Sequence, residues 1–381
     1  MKRQAKWVLG FWALSAGLAY GQSSVTLYGV IDTGIDYVSN SGGKSQWSVV
    51  DGTLSGIYGS RWGLMGSEDL GGGRSVAFKL ENGFNSANGQ RFQGGRQFGR
   101  QAYIELRDRS LGALAVGRQY DEIVDFVQPV TFNGNWGPMF AHASDIDNTS
   151  DSYRVNNAIK FTSVDYGGLS FAAMLGLSNS NAPGTSTVGT WSAGVRYRLG
   201  SLLFAGGYLQ AKHPATLFPE GNFLANTSGA AIGAAGPFSY VGNPASLQEW
   251  GLGATWGIDA VTLGANYTRT LFGQANGTIS TVTFTNYEVW LNYEFAPSWT
   301  VGGEYTYTAG SVGYSGASPG YQLVGLVIDK KMSKRTELYA MSSFQRANAS
   351  AAHADIFEGA IASASSSRNQ AALRVGMVHK F

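Results

Sequence analysis

The chain has 381 residues, with 27 Lys and Arg against 25 Asp and Glu, and charged residues make up only 14% of it, against about 25% in an ordinary soluble domain. Cysteine is absent, which excludes a disulfide scaffold, thiol catalysis and a cysteine-based zinc site. The 53 glycines lack a triplet period and come with only 9 prolines, which excludes collagen, and a mean hydropathy of −0.09 is too polar for a bundle of membrane-spanning helices.

Residues 1–21 read as a secretory leader. Lys2, Arg3 and Lys6 are its basic start, Trp7 to Leu18 its apolar stretch, and Ala19-Tyr20-Gly21 puts small residues at the −3 and −1 positions before Gln22. Removing it takes the basic count from 27 to 24 against 25 acidic residues. The remaining chain is near neutral, and no nucleic-acid partner is expected.

From Ser24 onward apolar and polar residues alternate. Counting the alternating segments gives about sixteen, mostly about 9–13 residues long, where soluble strands average about 5–6 and a tilted membrane-crossing strand needs about 9–11. Some connections are tight: Leu70 to Gly73, Ser110 to Gly112, Tyr166 to Gly168, Leu199 to Ser201 and Ala296 to Ser298. Others are long and polar, at 121–153, 214–247 and 347–367. In 261–268, Val261, Leu263, Ala265 and Tyr267 take one face. In 287–295 the apolar set is Tyr287, Val289, Leu291, Tyr293 and Phe295, with Trp290 the one exception on the polar face. Trp299, Val301, Tyr305 and Tyr307 follow, and Leu373, Val375 and Met377 alternate in the last segment before Phe381. Each segment is a strand with one apolar and one polar face. Short turns at one end, long loops at the other and apolar faces ending in Tyr267, Tyr293, Phe295 and Trp299 predict an antiparallel transmembrane β-barrel at residues 22–381. A soluble β-sandwich would have shorter strands and polar faces richer in Lys and Glu.

The segment 121–153 is too long for an ordinary connection. It holds Phe126, Phe132, Trp136 and Phe140, carries Asp121, Glu122, Asp125, Asp145, Asp147 and Asp151, and has no Lys or Arg. Such a loop can pack inside a barrel and narrow it. Alternation directs Arg61, Lys79, Arg154, Lys160, Arg196, Arg198 and Arg374 into the lumen, together with Asp32, Asp36, Glu81, Glu288, Glu294 and Glu304. A Lys or Arg facing mid-bilayer lipid would cost about 2–4 kcal/mol. Arg196, Arg198 and Arg374 are expected to be solvated charges away from the narrow section. Tyr28, Tyr103 and Trp290 are the scattered lumen aromatics. Arg118 shares parity with the lipid-side Leu114 and Val116, so either it lies past the strand end or a bulge turns it inward. Basic wall residues opposite an acidic loop would set a transverse field with weak charge selectivity.

Several segments resemble the general porins of β-proteobacteria. Ser24-Val25-Thr26-Leu27-Tyr28-Gly29 with Asp32 is similar to that family's first strand. Ser60-Arg61-Trp62-Gly63-Leu64-Met65-Gly66-Ser67-Glu68-Asp69-Leu70-Gly71 resembles its second strand and first turn. Arg100-Gln101-Ala102-Tyr103, Gly117-Arg118-Gln119, Ser333-Lys334-Arg335-Thr336 and the closing His379-Lys380-Phe381 continue the pattern. The resemblance implies a 16-stranded barrel, a homotrimer, an inward-folded third loop, and passive diffusion of small hydrophilic solutes and ions across the outer membrane of a Gram-negative bacterium. Outer-membrane lipids and lipopolysaccharide would surround it. The motif also brings Arg100 and Arg118 into the expected basic wall. Met65 stands where the family pattern usually has a basic residue, which makes the lumen wall less positive there. Gly29, Ala102 and Ala115 are read as small outward residues suited to a subunit contact.

An enzyme is not expected, and neither are a cofactor or a metal. His142, His213, His353 and His379 lie in four different regions, and there is no His-Glu-x-x-His motif or phosphate-binding loop. Gly316-Ala317-Ser318-Pro319-Gly320 has the spacing of a nucleophile elbow, but that device needs a strand-to-helix turn. A substrate-specific channel is the nearest alternative, ahead of a barrel enzyme or an adhesin.

Overall fold

The computed structural model describes residues 24–179, 186–221, 236–356 and 363–381. The expected leader lies outside the described residues. The chain forms a closed, antiparallel, 16-stranded β-barrel. Its first half comprises β1 (Ser24–Ser41), β2 in two pieces (Lys44–Asp51 and Arg61–Gly71), β3 (Arg74–Gly83), β4 (Gln101–Asp108), β5 (Gly112–Gln119), β6 (Val155–Ser163), β7 (Leu169–Leu177) and β8 (Val188–Leu199). The second half comprises β9 (Leu202–Lys212), β10 (Ser246–Ile258), β11 (Val261–Gly273), β12 (Val282–Ala296), β13 (Trp299–Val312), β14 (Pro319–Lys331), β15 (Thr336–Ala349) and β16 (Asn369–Lys380).

The alternation is inverted relative to a soluble protein. In β16, Arg374 is 1% exposed whereas its neighbour Val375 is 66% exposed. In β1, Asp32 and Asp36 are buried between the exposed Ile31 and Ile35. Polar faces point into the barrel and apolar faces point out, the arrangement lipid requires. Outward aromatics form two belts: Trp191, Tyr208 and Trp250 near the long-loop end, and Tyr293, Phe295 and Trp299 near the short-turn end.

The barrel closes between β1 and β16, from Val30 opposite Lys380 to Val38 opposite Ala372. Phe381 and Gly29 exchange both backbone hydrogen bonds at 3.0 Å. Gly29 has no side chain because the Phe381 ring fills its place: a Cβ would stand 2.3 Å from that ring. Ala102 shares the outward face of Ile104 and Leu106, but Ala115 is buried between the outward Leu114 and Val116, so it faces the lumen. The expected outward placement of Ala115 is corrected accordingly, since strand parity leaves it no other side.

Both pieces of β2 pair with β1. Between them the short helix Gly52–Ser55 and residues 56–60 step out of the barrel wall. Asp51 caps that helix through Thr53 N–H, and Tyr58 N–H donates to Asp32 at 2.9 Å. This break leaves no mark on the alternation pattern. Behind it, Arg374 is the centre of a buried cluster rather than a solvated charge. Its guanidinium meets Asp32 at 3.1 Å and Asp36 at 2.9 Å, and donates to Ser55, Tyr339 and the Val50 carbonyl. The expectation failed because parity gives a side chain's direction and not what stands in front of it.

Candidate functional site

The long loop between β5 and β6 folds into the barrel and runs along the inner wall from β8 to β14. Small residues on the wall make room for it. Phe126 lies against Gly194, Val127 against Gly207 and Gly251, and Phe140 against Gly325, where a Cβ would come within 2.5–3.0 Å. Phe132 packs between Phe140 and Trp290, with ring centroids 4.9 and 6.2 Å away. Polar fasteners complete the seam. Phe132 N–H donates to Glu288 at 2.6 Å, Trp136 Nε1 to Asn292 at 2.7 Å, Trp290 Nε1 to the Val130 carbonyl at 3.0 Å, and Tyr153 Oη to Glu249 at 2.7 Å.

His142 is the ionic part of that seam. It is fully buried, with Nδ1 2.6 Å from Asp147 and Nε2 3.0 Å from Glu288. Burial alone would push the imidazole toward its neutral form, but Asp147 and Glu288 outweigh burial and hold its pKa well above the ordinary value. The imidazolium thus holds loop to wall. Asp147 also accepts from Thr268 and Asn286.

The six loop carboxylates were expected to present an acidic face to the channel, and the structure corrects this for four of them. Asp121 is buried, accepting from Ile123 N–H at 2.8 Å and Asn148 at 2.8 Å. Glu122 bonds Ser192, Asp145 accepts from Ser150 N–H at 2.7 Å and Ser152 Oγ at 2.6 Å, and Asp147 serves His142. Only the side chains of Asp125, 37% exposed, and Asp151, 22% exposed, keep substantial access to water. Acidic residues in a loop must satisfy the loop's own N–H donors, and composition does not reveal which ones do so.

Asp121 and Asp145 have no ion-pair partner among the described residues. Burial, with Glu122 nearby, pushes Asp121 up to about 7, and burial, with Asp147 nearby, pushes Asp145 up to about 8. A raised folded-state pKa gives a contribution complete below the unfolded value near 4 and lost as pH rises through 7 to 8. Loop docking should therefore loosen on the alkaline side. Amide exchange over 121–151, corrected for intrinsic rate, should speed up between pH 6 and pH 9. Protection that stays constant over that range would contradict the assignment.

The basic residues gather on β2, β3, β6 and the segment before β4. Glu81 sits among three of them: Arg100 Nε at 2.9 Å, Lys79 at 3.5 Å and Arg61 at 3.6 Å, with Tyr28 Oη donating at 2.8 Å. Arg100 also reaches Asp151 at 3.3 Å, Arg154 reaches Asp151 at 2.6 Å, and Lys160 pairs with Asp125. Arg100, Arg154 and Lys160 are buried, whereas the Arg61 and Lys79 side chains remain 26% and 28% exposed. Arg118 does not join this arc, which corrects its place in the expected basic wall. It pairs with the outward-facing Ala102 and meets the Gly99 carbonyl, Asn156 and Glu220, beside an extra residue in β6 where Gly117 and Gln119 oppose Ala158 and Val155. The loop leg 126–144 contains no carboxylate, and its exposed residues are Pro129, Gly134 and Asn135. Strand order puts that leg across the lumen from the arc. The pairing is a basic wall facing a neutral loop surface. Ser318, the serine with elbow spacing, lies in the β13–β14 connection, between two strands, where no strand-to-helix turn stands.

A closed barrel with polar residues inside, apolar residues outside and a loop folded into its lumen defines an outer-membrane channel-type β-barrel. Residues 8–350 match the Gram-negative porin family, and the chain belongs to it. An outer membrane porin of Bordetella pertussis is 31% identical over 280 residues, covering 69% of this chain and 68% of that protein. The structure of an anion-selective porin from Comamonas acidovorans aligns with a TM-score of 0.73 at 22% identity, covering 94% of this chain and 100% of that one. The trimer form of OmpT from Vibrio cholerae aligns with a TM-score of 0.67 at 14% identity, over 94% and 99% of the two chains. The protein is an outer-membrane porin of a Gram-negative bacterium.

Proposed function

We propose that the chain forms a water-filled pore for passive diffusion of small hydrophilic solutes and ions, assembled as a homotrimer among outer-membrane lipids and lipopolysaccharide. Its narrow section lies between the wall residues Arg61, Lys79, Glu81 and Tyr28 and the loop leg 126–144. Arg100, Arg154 and Lys160 support the wall from behind. Asp121, Glu122, Asp145 and Asp147 hold the loop in place, and Asp125 and Asp151 temper the wall's charge.

One observation carries the sign of selectivity. The water-exposed cations Arg61 and Lys79 face a loop leg with no carboxylate. Fixed charge on one side of a low-dielectric passage enriches the opposite ion, so anions are favoured over cations. The Comamonas acidovorans neighbour is named as anion-selective, while the reading for this chain rests on its own residues. Refolded protein in a planar bilayer tests it. Ohmic steps grouped in threes support an open trimer, and a folded, inserted barrel without conductance overturns the pore reading.

A further inference from the structure

The insert that breaks β2, residues 52–60, turns toward the lumen. Gly52 and Gly56 lie against the inward side chain of Asp32, and Tyr58 N–H donates to the same carboxylate. The insert covers the wall made by β1, β15 and β16. Asp32, Asp36, Tyr339 and Arg374 point inward there, and none is more than 3% exposed. Beside the insert the wall stays wet, at Arg61 and Lys79.

The insert touches both other borders of the narrow section. On one side the Gly59 carbonyl accepts from Arg61 Nη1 at 3.0 Å, and Gly59 stands against the Arg100 guanidinium. On the other side Gly56 meets the tip of the inward loop at Gly137. That residue has a φ of +92°, and a Cβ on it would overlap the Gly56 carbonyl oxygen, so only glycine allows the approach. Ile57 is buried in one apolar cluster with Phe132, Trp136, Met139 and Phe140 of the loop. Removing these side chains from water braces insert and loop against each other. Toward the short-turn end, Tyr58 Oη accepts from Lys380 Nζ at 3.1 Å, and Tyr58 borders a lumen cavity of about 360 Å³ together with the loop's Asn135.

We infer that this insert is the third side of the pore's narrow section, so that the basic arc, the loop leg and residues 53–59 together set the aperture and the ion preference. The insert fills the lumen in front of the β1–β16 seam and drives the passage toward the arc. Ions then cross close to Arg61 and Lys79. A low-dielectric body beside those cations also displaces water that would screen them, which strengthens their hold on a passing anion. The insert is thus a specificity-determining element, and its charge-free surface is part of the reason that the arc's sign prevails.

The inference rests on the open-pore reading, and its test separates the two. The chain has no cysteine, so a single introduced thiol reports without background. Leu54→Cys and Tyr58→Cys place it at partly exposed positions of the insert, and Trp47→Cys, on the outward face of β2, is the control. Each variant is labelled in detergent with a sulfonatoethyl or a trimethylammonioethyl methanethiosulfonate, checked by mass, and placed in a bilayer under a salt gradient. Either label at 54 or 58 should lower single-channel conductance by about one-third or more. The two labels should move the reversal potential in opposite directions, the negative one weakening anion preference and the positive one raising it. Labels at 47 should do neither. A merely structural disturbance would move the potential the same way with both labels. That outcome, or labelled channels indistinguishable from unlabelled ones, overturns the inference and leaves the pore intact. Absence of conductance in the unmodified chain would instead remove the pore reading itself.

Discussion

Replacing Arg61 and Lys79 together by glutamate should turn the pore from anion-preferring to cation-preferring. Both side chains are about one-quarter exposed and meet the lumen water, and they face a loop leg without carboxylates. A unit charge about 6 Å from a passing ion is worth about 0.7 kcal/mol in water and roughly half of that in 0.1 M salt. The double change swings the wall by four units, so each ion's energy shifts by about 1.4 kcal/mol in opposite directions, about tenfold for each ion and about a hundredfold in the anion-to-cation ratio. Reversal potentials under a tenfold salt gradient read this directly. Unchanged potentials would place the selective section elsewhere. Arg100 and Arg154 are poor sites for the same experiment. They are buried against Glu81 and Asp151, and removing either would leave buried charge only partly compensated.

The second large effect is expected at His142. This residue is the sole ion-pair partner of Asp147 and Glu288 among the described residues. His142→Ala leaves two buried carboxylates without their counter-charge, and removing one member of such an arrangement costs about 3–5 kcal/mol. The loss falls on loop docking rather than on barrel closure, because the β1–β16 seam lies elsewhere and involves none of these groups. Amide exchange over 138–149 should therefore accelerate by about two to four orders of magnitude while the strands stay protected, since about 3–5 kcal/mol corresponds to roughly that much in opening. Single-channel current should become noisier as the loop samples undocked positions. If the exchange rates match the parent protein, the loop is held by its apolar contacts at Phe132 and Phe140 alone. His142→Gln, which can still donate to one carboxylate, should fall between the two.

Much of the architecture was legible because a barrel's demands are periodic. Ile31 with Asp32, and Val375 with Arg374, declare their faces through parity alone, and the tight turns fix which end is short. The inward loop was legible for a different reason. A stretch with Phe126, Phe132, Trp136 and Phe140 but no strand pattern needs an apolar surface to bury against. Its matching wall signal is the run of Gly194, Gly207, Gly251 and Gly325 on the lumen face. Those glycines were available in the sequence, but they become meaningful only once strand pairing puts them under one loop.

The loop's carboxylates were misplaced because charge counts do not distinguish a cap from a channel-facing group. Asp121 and Asp145 spend their oxygens on the loop's own backbone donors, a role set by chain reversals that no linear pattern encodes. Arg118 keeps the outward parity its strand gives it, opposite Ala102, so the motif that brought it into the expected basic wall does not place it there.

The sign of ion preference in the unmodified protein bears most directly on the account. Refolded trimers would be placed in a bilayer with a tenfold KCl gradient, and the zero-current potential measured near neutral pH. The account predicts a potential of the sign that chloride permeation gives, shrinking as salt screens Arg61 and Lys79. A potential of the opposite sign, persisting in dilute salt, would mean that the carboxylates at the short-turn end of the lumen or those of the loop govern passage. That result would contradict the basic wall as the selective element.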